Sequence, residues 1–261
     1  MNHYATLHTQ TEAGVHTILL NRPEKRNALT PQLIEELTQA LEAAAANAHC
    51  RVVLITGAGS AFCAGLDLEV LQANVDAGED AALADAERIA KLFRTLQELA
   101  KPTIAAVNGA AVAGGMGIAT LCDWTLAVPE AKFGYTEVRI GFIPAIVSAY
   151  LRTQIGDKRT RDLLLSGRLI GAEEAAAMGL VTRVVPEPEL MREARALAER
   201  LMRNSPAAMA ATKRLLTRFA DRRLLDDVEG AIRASVQMRA HPDFREGVTA
   251  FLEKREPKWR D

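Results

Sequence analysis

The sequence predicts an α/β fold with largely parallel strands, and three observations carry that prediction. Between Tyr4 and Val128, apolar runs of strand length alternate with stretches of helical periodicity. Two of the runs, Val52 to Thr56 and Thr103 to Val107, show almost no polar alternation, as expected of strands covered on both faces. Past Arg152 helical periodicity dominates, so a helical C-terminal part covers or extends the core.

The elements follow in order. Residues Tyr4 to Asn21 alternate apolar and polar positions around Gly14, predicting a β-hairpin that ends at Arg22-Pro23. After the loop Pro23 to Ala28, Thr30 caps a helix with Pro31 at its first position and Leu33, Ile34, Leu37 and Leu41 as its apolar stripe. The strand Val52 to Thr56 breaks at Gly57 into small residues, and Ala61 to Leu68 is expected to resume as helix. Asn74 to Asp85 is polar, alanine-rich and weakly patterned, predicting a mobile surface segment before a helix over Ala86 to Leu99. Lys101-Pro102 stops that helix. The strand Thr103 to Val107 then breaks into Asn108 to Gly117 and a buried helix from about Ala113 to Leu121, followed by the strand Trp124 to Val128. Lys158 to Ser166, Ala172 to Met178, Glu187 to Arg203 and Pro206 to Arg239 are predicted helices. A long helical tail without a second core suits docking on another subunit, which predicts an oligomer.

Bulk properties exclude several function classes. A net charge of -1 and a pI near 6.5 supply no general field toward nucleic acid or membrane. The basic clusters Lys158-Arg159-Thr160-Arg161 and Arg222-Arg223 lack interleaved aromatics and suit a solvated helix face. Cys50, Cys63 and Cys122 lack CxxC spacing, which argues against a zinc site or disulfide framework and for a reducing cytoplasm. Met1 to Gln10 lacks signal-peptide character, and no apolar run approaches the ~18 residues of a membrane span.

The two strand breaks are the first candidates for chemistry. Small residues let backbone approach a ligand, and helix starts offer unpaired N–H donors to a negative oxygen. Two such breaks can aim two donors at one atom, although close helix packing would use the same residues. Nucleotide-binding readings fail, because Phe62 stands where a dinucleotide fingerprint needs its third glycine and no Gly-Lys-Ser/Thr occurs. No Gly-x-Ser-x-Gly elbow or His-Glu-x-x-His helix is present. Carboxylates are then the natural proton carriers. Glu137 lies inside the apolar, glycine-bounded stretch Phe133 to Pro144, where desolvation would raise its proton affinity; pairing with Arg139 is the alternative.

In their order and spacing, Asn21 to Leu29, Ile55 to Leu68, Ala105 to Gly117, Cys122-Asp123, Phe133 to Pro144, Leu164 to Gly167, Ala175 to Val181 and Phe251 to Arg255 resemble the crotonase, or enoyl-CoA hydratase/isomerase, superfamily. The resemblance implies a ββα spiral core over residues 1–195 with a helical oligomerisation region over 196–261, assembled as a homotrimer or a hexamer of paired trimers. It implies an acyl-CoA thioester as substrate, with coenzyme A part of that substrate and no further cofactor or metal. The oxyanion donors would be the backbone N–H groups of Leu66 and Gly114. Ala64, Asp67 and Leu68 would lie at the adenine, the Lys25 to Ala28 loop along the ribose phosphate and pantetheine, with Lys25 and Arg26 as local cations. Phe251 and Lys254 match positions that reach a neighbouring subunit's coenzyme.

One departure bears on mechanism. Typical hydratases resembling this chain carry two glutamates; Glu137 matches the second, and the first would fall at Gly117. Tyr135 to Tyr150 looks more like bacterial single-glutamate hydratases, including forms assigned to branched or carboxylated enoyl thioesters. Three readings follow: a 2-enoyl-CoA hydratase with Glu137 as acid/base, a double-bond isomerase with the same single base, and a non-catalytic acyl-CoA-binding or RNA-associating relative. The acyl pocket is expected along Leu71 to Leu92 and a Phe142 to Val147 loop, with Arg88, Arg94 and Arg139 as candidate cations for a carboxylated chain.

Overall fold

The alternating start of the chain forms an antiparallel hairpin, β1 (Leu7–Glu12) and β2 (Val15–Leu20), turning at Ala13 and Gly14. The computed structural model describes residues 4–73 and 77–259, with the side chains of 220–223 and 225 outside that description. The Arg222-Arg223 cluster and the Asn74 to Asp76 part of the expected mobile segment therefore lie outside the described residues.

Helix α1 (Pro31–Ala46) begins as its cap predicts, the Thr30 hydroxyl accepting from the Leu33 N–H at 3.2 Å. Its stripe of Leu33, Ile34, Leu37 and Leu41 is buried. Strand β3 (Val52–Gly57) is buried at every position, because it lies between β2 and a further strand, β5 (Thr103–Val107), parallel to both. With β7 (Trp124–Ala127) and the short β10 (Arg183–Val184), these strands complete a six-stranded sheet in the order β1-β2-β3-β5-β7-β10.

The segments after β3 and β5 do not pass directly into helix as expected. Each first forms a three-residue strand, β4 (Ala61–Cys63) and β6 (Ala110–Val112), before α2 (Leu68–Ala73) and α4 (Gly114–Leu121) begin. With β8 (Lys132–Gly134) and β9 (Ile170–Gly171) they build a second sheet, β4-β6-β8-β9. Three residues are too few to display the alternation by which strands are read.

A second correction concerns α3, which spans Gly78–Glu98 and so includes most of the segment expected to be mobile surface. Glu79 and Asp80 favour its positive N-terminal end, and the alanines are the strongest helix formers. Its buried stripe starts with Ala82, Ala86 and Ala90, whose small side chains give little hydrophobic signal in sequence. Likewise the expected Phe142 to Val147 loop is helical from Ala145, where α5 (Ala145–Ser166) begins; Gly156, at φ +76°, interrupts that helix before the predicted Lys158 to Ser166 stretch. Helices α6 (Ala172–Met178), α7 (Leu190–Met202) and α8 (Pro206–Arg239) form where periodicity places them, followed by α9 (Pro242–Leu252).

The expected division after residue 195 falls within α7. Ala194 before it and Leu197, Ala198 and Leu201 after it join one core with Leu224, Val228 and Ala231 of α8. All three cysteines are buried and free. Among the described residues no helix is long and apolar enough to cross a membrane.

Candidate active site

The parallel pairing of β4 with β6 sets Cys63 opposite Ala111. Counting three residues onward from each partner gives Leu66 and Gly114, the two predicted donors. An isolated parallel bridge anchors the first: the Leu29 N–H donates to Gly65 O at 2.7 Å, and the Asp67 N–H to Leu29 O at 3.0 Å. The Leu66 N–H between them is left out of that pattern. Gly114 is the first residue of α4, where helix amides have no partner within the helix. Neither amide donates a hydrogen bond within the described residues.

The two segments touch through residues that cannot grow. Gly65 holds φ +86°, and a Cβ there would lie 2.7 Å from the Cβ of Ala113. Ala113 itself holds φ +52°, a region costly for a residue with a side chain, and its N–H donates to Gly134 O at 2.8 Å. That bond ties the Gly114 turn to β8, the strand that leads into Glu137.

Glu137 opens a short 3-10 turn, Glu137–Ile140, closed by Gly141 at φ +65°. Its backbone carbonyl accepts from the Phe142 N–H at 3.0 Å, which fixes the turn. Oε2 is buried with no hydrogen-bond partner, and burial pushes the carboxyl up to about 7 against the opposing pull of its own amide. The exposed Arg139 makes no ion pair with it among the described residues. Glu137, Leu66 and Gly114 all border one cavity of about 400 Å³, with mainly apolar walls from α3, α5 and the Phe142 to Pro144 stretch.

Gly117 lies on the next turn of α4, and its surroundings are closed. A Cβ there would stand 2.6 Å from Phe93 Cζ and 3.1 Å from Val147 Cγ1. Phe93 in turn meets Tyr150 edge to face, with ring centroids 6.0 Å apart. The gap among Phe93, Gly117, Tyr135 and Val147 has a volume of about 0 Å³, too small for a water.

The remaining predicted residues divide. Arg26, Ala64, Leu68 and Phe251 border the same cavity as Glu137, Phe251 doing so within its own chain. Lys25 is exposed and paired with Glu69 at 2.8 Å, and Lys254 is exposed; neither lines that cavity. Ala28 is buried, and Asp67 is held by Arg22 at 3.1 Å, so its carboxylate is already engaged. Arg22 also donates to Ala28 O at 2.6 Å, while the Asn27 side-chain amide donates to Ala58 O and Ala61 O, both at 2.9 Å. These bonds clamp the Lys25 to Ala28 loop onto β4.

Leu169, Ser235 and Arg239 border the cavity from outside every segment expected there, whereas Asp85 lies within the expected Leu71 to Leu92 wall. The expected pocket cations Arg88, Arg94 and Arg139 do not line the cavity. Arg88 is turned to Glu35 and Asp85, at 2.7 Å each. A signal for Arg239 does exist in sequence. Leu224, Val228, Ala231 and Ser235 form the buried stripe of α8, and one more turn along it reaches Arg239.

Comparison with known proteins gives the family. A family model described as Enoyl-CoA hydratase/isomerase matches residues 10–261. A putative enoyl-CoA hydratase of Thermus thermophilus is 43% identical over 251 residues, covering 96% of this chain and 99% of that one. The chain belongs to the enoyl-CoA hydratase/isomerase family, within the crotonase superfamily. A probable enoyl-CoA hydratase of Mycobacterium tuberculosis, echA8, is 36% identical over 260 residues, covering 98% of each chain. Among solved structures, a putative enoyl-CoA hydratase from Mycobacterium avium paratuberculosis superposes with a TM-score of 0.88 at 33% identity, covering 98% of this chain and 100% of that one. Both sheets, the Leu66 and Gly114 turns, Glu137 and the helices through α9 therefore lie inside the matched length of this hydratase/isomerase family member.

Proposed function

We propose that this enzyme adds water across the 2,3 double bond of a 2-enoyl-CoA thioester. The observation that carries the reading is the convergence on one cavity of two undonated amides, Leu66 and Gly114, with one desolvated carboxylate, Glu137. Glu137 takes a proton from water as the water oxygen bonds to C3. The alkene electrons move onto the thioester oxygen, where the two amides stabilise the enolate. The enolate then collapses, and the Glu137 carboxyl returns its proton to C2. Removing one such oxyanion donor in other enzymes costs about 3 kcal/mol, so the pair can supply a large share of the acceleration.

No metal or separate cofactor enters this scheme, since coenzyme A arrives on the substrate. Arg26, Ala64 and Leu68 border the cavity and suit the coenzyme's phosphate and adenine end; Lys25, Ala28 and Asp67 would shape that loop. Phe251 would close over the thioester arm, with Lys254 beside it. A homotrimer or hexamer is part of the proposal, with the region from 196 onward as its contact surface. Leu215, Leu216 and Phe219 of α8 are 50%, 62% and 77% exposed, an apolar face that suits burial against another copy. A cytoplasmic setting fits the three free thiols.

The closed apolar wall at Gly117 favours a second reading. Without room for a water there, Glu137 alone could lift a proton from C2 and redeliver it at C4, moving the double bond. Crotonyl-CoA and a 3-enoyl-CoA, supplied separately to the purified enzyme, distinguish the two. Loss of conjugated thioester absorbance from the first supports hydration; its appearance from the second supports isomerisation. Tight thioester binding with neither change would support a non-catalytic role.

A further inference from the structure

Arg239 places a guanidinium on the wall of a cavity that is otherwise mostly apolar. Its side chain is 11% exposed. One N–H, on Nη1, donates to Asp85 Oδ2 at 2.8 Å, while Nε is buried without a partner. The guanidinium carbon stands 6.0 Å from the centroid of the Phe142 ring, itself part of the cavity wall. Asp85 and Phe142 thus hold the group in place before any ligand arrives. Ser235, one helical turn earlier on the same face of α8, is buried and borders the same cavity.

Arg239 does not have its carboxylate to itself. Asp85 accepts from Arg239 and also from Arg88, at 2.7 Å, so one carboxylate serves two guanidinium groups. The other partner of Arg88 is Glu35, which is 53% exposed and screened by water. Among the described residues no carboxylate besides Asp85 lies within ion-pair distance of Arg239. The cavity wall therefore carries a held guanidinium whose one carboxylate partner is shared with a second arginine, an arrangement that suits a further, anionic oxygen.

We propose that Arg239, assisted by Ser235, selects 2-enoyl-CoA substrates whose acyl chain ends in a carboxylate. The proposal rests on the reading of this cavity as an enoyl-thioester site. The guanidinium donates to the terminal carboxylate while the apolar stretch of the cavity takes the chain between. A phosphate of coenzyme A is the other anion that could use this cation, and the test separates the two.

The experiment compares hydration and isomerisation rates on matched thioesters of five to eight carbons, each with and without a terminal carboxylate. Hex-2-enedioyl-CoA against hex-2-enoyl-CoA is one such pair. At least one carboxylated member should be preferred by about 10-fold or more in kcat/KM. Arg239→Met should lose about 10- to 100-fold on that member, mostly in KM, while its neutral partner stays within about 2-fold. Arg239→Lys should restore part of the loss. Equal losses on both members in Arg239→Met would assign the residue to coenzyme binding or to support of the fold and would overturn the proposal. So would a wild type that shows no preference across the series. If the wild type turns over none of the thioesters, the enoyl-thioester reading itself has failed, a result distinct from turnover without preference.

Discussion

Glu137 combines two properties that pull against each other, reactivity and stability. Its carboxyl is raised from an ordinary 4.5 to about 7 by burial, so the protein holds it ionised only above neutrality. With Glu137 in its proposed role of general base, kcat/KM should rise as pH climbs through about 7 and level off above it, which a pH–rate profile would test. Stability has the opposite sign. A raised carboxyl pKa means the folded chain retains a proton that the unfolded chain releases between pH 4.5 and about 7, so this residue's contribution falls across that window. Glu137→Gln should therefore lower kcat by about 10²- to 10⁴-fold with thioester binding nearly intact. It should also raise unfolding stability at pH 8 by about 1–3 kcal/mol, the gain shrinking toward pH 4. Denaturant titrations at the two pH values measure it. Glu137 was legible in sequence because its neighbours are apolar; for Arg239 the stripe of α8 marks the position, but not the cavity partners Asp85 and Phe142, which lie far from it along the chain.

At the scale of elements, the site is made by short strands rather than by the long elements that sequence reveals best. Val52–Gly57 and Thr103–Val107 announce themselves by composition, and α1 and α8 by caps and periodicity. Ala61–Cys63 and Ala110–Val112 have no pattern of their own; their pairing follows from the parallel order of the strands before them. Gly65→Ala tests the contact they create. A methyl group placed 2.7 Å from Ala113 Cβ, on a residue at φ +86°, should cost about 1–3 kcal/mol and lower kcat by displacing the Leu66 amide. Gly117 and Phe93 form a second such contact. Gly117→Glu alone should destabilise the chain by overpacking, about 1–3 kcal/mol or more, because Phe93 Cζ stands 2.6 Å from the new Cβ. Adding Phe93→Ala should recover part of that loss, and the coupling is read from a double-mutant cycle in urea.

For the whole molecule, one core runs from the hairpin to α8, so the C-terminal helices are packed structure in their own right, beside their proposed role as a surface for other copies. Periodicity predicted those helices but could not say which face remains open, since burial against one's own core and against a partner leave the same apolar stripe. The exposed Leu215, Leu216 and Phe219 identify the open face. Leu216→Glu combined with Phe219→Glu should convert the proposed trimer or hexamer to monomer by sedimentation velocity, with the circular dichroism spectrum retained. A wild type that is already monomeric would remove the oligomer proposal.

The equal three-residue step from Cys63 to Leu66 and from Ala111 to Gly114 has an evolutionary corollary. In the proposed site the position of the Leu66 donor is set by chain length rather than by its side chain. Exchanging Leu66 for another apolar residue leaves its amide where it was, but inserting one residue between Cys63 and Leu66 displaces the donor from the carbon skeleton it serves. The proposed site should thus tolerate side-chain exchange at Leu66 better than insertions or deletions, a distinction that a library scoring both kinds of change would display directly.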